Sequence, residues 1–99
     1  MSAPSFRMAF REWFGLTRAA ADLLVALYDA RGELMTVREL AAAAGVAPGS
    51  VTFHLVDVRA ALEAEALDTE RGKGYRLSEE GLAECRDALL QIGEELRRA

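Results

Sequence analysis

Three basic residues crowd into one short segment, Arg71-Gly72-Lys73-Gly74-Tyr75-Arg76. Its glycines permit a tight turn, which predicts a β-hairpin with basic side chains at or near its tip. Guanidinium and ammonium groups on a protruding turn can hold the phosphates or the minor groove of a nucleic acid. The alternative is an ordinary hairpin whose charged residues are simply solvated.

A second candidate surface lies on the helix predicted from Pro48 to Ala64. Apolar residues at the helical period mark its buried side, namely Val51, Leu55, Val58 and Leu62. The opposite side carries Ser50, Thr52 and Phe53, whose hydroxyls can bond bases or phosphates and whose ring can meet a thymine methyl group. This side has no Arg, Lys, Asn or Gln, and Asp57 would repel phosphate. Contact with a protein is therefore the alternative for this helix.

The residues offer little material for catalysis or for metal binding. His54 is the single histidine and Cys85 the single cysteine, and no glycine-rich phosphate loop follows a strand. We therefore expect no enzyme activity, no catalytic residue, no metal and no cofactor. His54 is expected to be structural, with a phosphate contact as the alternative. Cys85 is expected to be a small core residue, with a redox-sensing thiol as the alternative.

The elements that position the two surfaces are a helix, a turn, a second helix and a hairpin, between Thr36 and Leu77. Thr36 and Glu39 form a predicted capping box, and Gly45 supplies the turn before Pro48. Short strands are predicted at 67–69 and 74–77. This order is the winged-helix arrangement, in which the second helix enters a DNA groove and the hairpin reaches the flanking backbone.

Helices are also predicted at both ends of the chain. An aromatic helix spans 5–15, a core helix capped by Thr17 extends to about Arg31, and a final helix begins after Ser78. The final helix carries apolar residues at spacings of 3 and 4, as in a heptad seam: Leu82, Cys85, Leu89, Ile92 and Leu96. Such faces need cover, and we expect them to form a homodimer through Phe6, Phe10, Trp13, Leu82, Leu89, Ile92 and Leu96.

Composition limits the protein to one domain. A chain of 99 residues, 52% of them hydrophobic, can build a single core. The predicted fold is mainly α with a small β-hairpin, a winged helix-turn-helix divided into 5–15, 16–77 and 78–99. No apolar run is long enough for a membrane span and no signal peptide is recognisable, so we expect a cytoplasmic protein. The net charge of -4 gives no overall attraction to nucleic acid.

The segment from Leu16 to Leu77 resembles the winged-helix effector domain of OmpR/PhoB-type response regulators. The similar stretches are LTRAAADLLVALYDARGELMTVREL, VTFHLVDVRAAL and the hairpin RGKGYRL. The resemblance implies double-stranded DNA binding by a transcriptional regulator, with Arg59, Arg71 and Lys73 near DNA. Two alanines replace the basic residues that usually follow the helix arginine, and an aromatic helix stands where a receiver domain would precede.

The last segment, LSEEGLAECRDALLQIGEELRRA, is similar to the region that follows the wing in MarR- and PadR-type regulators. In those families the terminal helices build the dimer. The leading expectation is therefore a homodimeric, sequence-specific regulator that contacts DNA through Ser50, Thr52, Phe53, Arg59, Arg71, Lys73 and Arg76. The alternative is a winged-helix interaction module that binds another regulator or RNA polymerase.

Overall fold

The computed structural model describes residues 6–98, which form five helices and one two-stranded antiparallel sheet. The elements are α1 (Phe6–Phe14), α2 (Arg18–Asp29), α3 (Val37–Ala44), α4 (Val51–Ala61), β1 (Leu67–Glu70), β2 (Gly74–Leu77) and α5 (Glu79–Arg98). A mainly helical chain with one small hairpin is thus confirmed. The predicted start of the first helix, Ser5, and both chain ends lie outside the described residues.

Side-chain caps fix the starts of three helices as their sequences predict. The hydroxyl of Thr17 accepts a hydrogen bond from the Ala20 N–H at 3.2 Å and begins α2. Thr36 and Glu39 form a complete capping box at α3, with bonds of 3.1 and 2.9 Å. Ser78 accepts from the Gly81 N–H at 3.1 Å and begins α5. These bonds satisfy amides that a helix cannot pair internally.

The helix predicted from Pro48 to Ala64 is shorter than expected at both ends. Pro48–Ser50 forms a 3₁₀ turn, and the α-helix begins at Val51. At the other end Leu62 is extended, with φ -96° and ψ 166°. The chain has to leave the helix there because a turn at 63–66 leads directly into β1. The core helix α2 likewise ends at Asp29, before a turn that continues to Gly32.

The hydrophobic core is arranged around α2, which packs against α1, α3 and α4. Between α3 and the segment Pro48–Ala61 the chain bends by 103°, and Gly45 ends α3 in the left-handed conformation at φ 67°. An angle near 100° is typical of a helix-turn-helix. The predicted apolar stripe of α4 is buried as expected at Val51, Leu55 and Val58, and Leu62, just beyond the helix, is buried as well.

The hairpin is joined to the body by one additional backbone bridge. The β1–β2 register pairs Leu67 with Leu77 and Glu70 with Gly74. Met35, just before α3, exchanges two backbone hydrogen bonds with Tyr75, at 2.8 and 2.9 Å. A side chain on Gly74 would overlap the Met35 carbonyl, so the bridge requires glycine there. The hairpin is thereby held beside the start of α3.

The terminal helices pack against the body of the same chain. Phe10 is fully buried, and the centroid of its ring lies 5.7 Å from that of Tyr28 on α2. On α5, Cys85 is buried, and Leu82 and Leu89 pack against the same core. This corrects the expectation for Phe10, which has no surface left for a partner chain. Leu82 and Leu89 are partly buried against the core of their own chain, which leaves less of their surface for a partner chain.

No single helix within residues 6–98 is both long and apolar enough to cross a membrane. Within these residues one pair of segments, Val37–Ala44 and Pro48–Ala61, meets the criteria of length and composition when the two are taken as one span. The chain bends by 103° between them. Both members contribute buried residues to the core, which explains their apolar composition.

Candidate nucleic-acid interface

The outward side of α4 is unusually apolar for an exposed helix face. Phe53 is 73% exposed and Val56 is 61% exposed. Thr52 and Asp57 are also exposed, because the buried stripe takes up the opposite side of the helix. Phe53 and Thr52 are therefore available for contact as the sequence predicts. Asp57 adds one negative charge to the same helix.

Two predicted residues near this face already have local contacts. The Ser50 hydroxyl donates a hydrogen bond to the Ala47 carbonyl at 2.8 Å, so it stabilises the turn before α4. The half-buried His54 ring stands edge-on to Phe53, with centroids 5.4 Å apart. The histidine thereby restricts the orientation of the exposed phenyl ring.

Arg59 connects α4 to the hairpin. Its guanidinium donates hydrogen bonds to the Leu67 carbonyl, at 3.3 Å, and to the Thr69 hydroxyl. Both acceptors belong to β1, so the bonds hold the base of the hairpin against the end of α4. A guanidinium has five N–H donors, and those left over can still reach a ligand. Arg59 thus positions two elements, a role that its helical spacing did not predict.

The positive charges of the basic side chains on the hairpin are partly neutralised by carboxylates of the same hairpin. The Lys73 ammonium lies 3.3 Å from the Glu70 carboxylate, and the Arg76 guanidinium lies 3.8 Å from Asp68. Arg71, at the turn, is exposed and has no ion pair with another described residue. Exposed pairs of this kind are weak, so a phosphate can replace either carboxylate.

Arg38 is a candidate contact residue that the sequence did not reveal. It is exposed on the first turn of α3 and lines a cavity of about 440 Å³ together with Lys73 and Thr69 of the hairpin. Its position depends on the bridge between Met35 and Tyr75, which joins segments 40 residues apart in sequence. No local pattern around Arg38 could have predicted that neighbourhood.

The acid next to Arg38 in sequence, Glu39, accepts hydrogen bonds that favour its carboxylate form. Hydrogen bonds from the backbone and side chain of Thr36 lower the pKa of Glu39 below its ordinary value. The candidate region on α3, α4 and the hairpin contains five basic side chains, Arg38, Arg59, Arg71, Lys73 and Arg76, together with the carboxylates of Asp57, Asp68 and Glu70. It is a local basic region rather than a broad basic face.

Outside this surface, the described residues include no thiol in its reactive form and no metal site. Burial, followed by the charge of Glu84, raises the pKa of Cys85 to about 12, which keeps its thiol protonated. Residues 6–98 contain no group of three or more His, Cys, Asp or Glu side chains placed to hold a metal ion. Comparison of the chain with family models, with curated proteins and with solved structures finds no match.

Proposed function

We propose that this chain is a winged-helix transcriptional regulator that binds double-stranded DNA as a homodimer. The observation that carries the proposal is the connection between its two candidate surfaces. A helix-turn-helix with a bend of 103° presents Thr52 and Phe53, and Arg59 ties the same helix to a basic hairpin. This combination suits a duplex, since a helix fits the major groove while a hairpin follows the adjacent backbone.

In the proposed complex the two surfaces have different tasks. Thr52 and Phe53 face base edges, where a hydroxyl can bond a base and an aromatic ring can contact a thymine methyl group. Arg71 and Lys73 bind phosphates and set the register of α4 in the groove. Arg38 adds a phosphate contact from the opposite wall of the cavity beside the hairpin.

The number of cations sets the strength of binding. Five basic side chains per chain give a dimer at most about ten phosphate contacts. The slope of log affinity against log salt concentration should therefore be no steeper than about -9. The net charge of -4 on each chain opposes association with any DNA sequence. Discrimination between sites should thus be better than the absolute affinity suggests.

A binding selection with randomised duplexes, followed by anisotropy titrations on the enriched site, tests the proposal. Arg71→Ala with Lys73→Ala should weaken binding to every sequence and reduce the salt slope of the dimer by about 4. Arg97→Ala with Arg98→Ala is the matched control, because it removes the same charge from the far end of α5. Equal affinities for wild type and the hairpin variant at physiological salt would contradict the assignment.

The second candidate function is contact with a protein, and the exposed apolar residues of α4 favour it. Phe53 and Val56 together form a helix face of the kind that binds in a hydrophobic groove. RNA polymerase or another regulator would be the partner. A selection that enriches no duplex, together with binding to purified polymerase that Phe53→Ser and Val56→Ser abolish, would establish this alternative.

A further inference from the structure

Residues 63–66, which we call the link, join the end of α4 to the start of β1. Glu63, Ala64 and Glu65 are exposed, so packing holds the link only at the buried Ala66. An exposed connection of this kind moves unless hydrogen bonds fix its backbone. The hydrogen bonds of the link therefore decide how firmly α4 and the hairpin are held relative to each other.

The start of α5 supplies those hydrogen bonds. The Glu84 carboxylate accepts a hydrogen bond from the Glu63 N–H at 2.9 Å, across 21 residues of sequence. Ser78, which caps α5, donates its hydroxyl to the Glu65 carbonyl at 2.6 Å and its N–H to the Ala66 carbonyl at 2.9 Å. Both ends of the link are therefore held by the same helix.

Glu84 holds the link at the point where the chain leaves α4. Leu62 is extended, and Glu63 is the first residue whose N–H finds its partner outside α4. The acceptor is a half-buried carboxylate, and a hydrogen bond to an ionised group is stronger than one between neutral groups. The bond thus fixes the direction in which the chain continues toward β1.

The link is the third of three anchors of the hairpin. The other two are the bonds of Arg59 to β1, from α4, and the backbone bridge between Met35 and Tyr75, from α3. Two anchors leave a rotation about the line through them, so the third is needed to fix the orientation. The turn at Arg71 lies about 7 Å beyond Thr69, so a rotation of about 10° would move it by about 1 Å. A shift of that size breaks a hydrogen bond.

We propose that Glu84 is a positioning residue of the DNA-binding surface. Its bond to the link sets the orientation of the hairpin relative to α4, so that Thr52 meets a base while Arg71 meets a phosphate. The inference rests on the proposed DNA binding and deepens it, because it places a determinant of site discrimination outside the contact surface. A carboxylate repels phosphate, so the effect of Glu84 on binding is indirect.

Loss of an acid and loss of an anchor have opposite effects on DNA binding, and this difference is the basis of the test. If Glu84 acted only through its charge, Glu84→Ala would strengthen binding to specific and random duplexes alike. As a positioning residue, its removal should lower the ratio of specific to random-duplex affinity about ten-fold, a loss typical of one mismatched base pair. The salt slope should stay unchanged, because no phosphate contact is removed.

Anisotropy titrations on the enriched site and on a random duplex, at the same salt concentration, measure this ratio. Partial unfolding lowers both affinities equally, so a loss of stability alone does not change the ratio. Glu80→Ala is the charge control, since Glu80 is exposed one turn earlier on α5, and it should leave the ratio unchanged. A wild-type ratio in Glu84→Ala would overturn the inference.

Glu84→Gln separates the hydrogen bond from the charge. It removes the same charge as Glu84→Ala, but its amide oxygen can still accept from the Glu63 N–H, so its ratio should remain within about two-fold of wild type. An equal loss in the two variants would overturn the positioning role. If Glu84→Ala does not fold, Glu84→Asp replaces it. That side chain keeps the charge but is one methylene shorter, so the ratio should fall as well.

Residual dipolar couplings of the free chain test the orientation without DNA. The couplings of α4 and of the hairpin in wild type and in Glu84→Gln should fit one common arrangement, whereas those of Glu84→Ala should require a rotation of the hairpin. An unchanged orientation in Glu84→Ala would overturn the inference and leave the DNA assignment intact. A wild type that binds no duplex would contradict the proposed function, and the couplings would still decide whether Glu84 orients the hairpin.

Discussion

Cys85 shows how its surroundings decide the chemistry of a residue. The thiol is buried in the core on α5, and its pKa of about 12 leaves almost no thiolate at neutral pH. The thiolate is the reactive form, and a buried sulfur is also closed to reagents. The redox alternative that the sequence left open therefore has no structural support.

Cys85 should resist a thiol reagent until the chain unfolds. At pH 8 the reaction with DTNB is expected to be very slow in buffer and complete in strong denaturant. Ionisation of this thiol also makes the stability of the fold depend on pH. The pKa of Cys85 is 9.0 in the unfolded chain and about 12 in the folded chain, so the unfolded state loses its proton first. The free energy of unfolding therefore falls as the pH rises from 9 toward 12. Stopped-flow absorbance measures the rates. Fast labelling of native protein would contradict the burial of this side chain.

At the scale of elements, the two glycines of α5 have opposite relations to their surroundings. A methyl group on Gly81 would overlap the backbone carbonyl of Ala66, because the first turn of α5 lies directly against the chain that enters β1. A methyl group on Gly93 would meet no atom within 4 Å. The same substitution on one helix therefore tests the packing of the hairpin against α5.

Gly81→Ala should destabilise the protein by about 2 kcal/mol or more, since a fixed backbone atom has to move. Gly93→Ala should stabilise it by about 0.5–1 kcal/mol, the ordinary gain in a helix interior. Urea unfolding followed by circular dichroism compares the two variants. Equal effects would mean that α5 does not rest on Ala66 in the way described.

The capping box of α3 should make the stability of that helix depend on acid pH. The lowered pKa of Glu39 means that its carboxylate is preferred in the folded chain. Its contribution is fully present above the ordinary pKa of 4.5 and is lost as the pH falls through the lowered value. The stability difference between wild type and Glu39→Ala should be larger at pH 7 than at pH 3. Urea titrations at both values measure it, and a constant difference would exclude the charged cap.

At the scale of the whole molecule, the apolar surface that stays exposed between α1 and the end of α5 is the candidate contact for a second copy of the chain. Trp13 of α1 is 38% exposed and Leu96 of α5 is 52% exposed, and both line a cleft of about 310 Å³ with Ile92. In contrast, Leu89 packs against the core of its own chain, so an aspartate there would disturb folding as well as association. A test of dimerisation should therefore use the exposed residues.

Wild type is expected to sediment as a dimer at tens of micromolar, and Trp13→Gln with Leu96→Gln as a folded monomer. The reason is that the proposed contact removes this apolar surface from water. Phe53→Gln with Val56→Gln is the control, since it removes a comparable exposed apolar pair from α4 and should leave the dimer intact. A monomeric wild type, or a dimer lost only in the control variant, would refute assembly through the terminal helices.

Local sequence was sufficient for the order of the elements and for the starts of α2, α3 and α5. Thr17, Thr36 with Glu39, and Ser78 cap helices by bonds that span three residues, so short-range spacing predicts them. The buried stripe of α4 and the strands of the hairpin follow from periodicity and from the glycines between them. Helix ends were less predictable, since Leu62 leaves the helix to meet the requirements of the following turn.

Tertiary structure alone decided which candidate side chains are free. The bonds of Arg59 to β1 and the position of Arg38 beside the hairpin join segments that are distant in sequence, whereas the ion pairs of Lys73 and Arg76 form within the hairpin itself. It also decided that Phe10 belongs to the core of its own chain, although Phe6 and Trp13 share its predicted apolar face. A helical period gives the direction of a side chain, whereas burial depends on what the rest of the chain places against it.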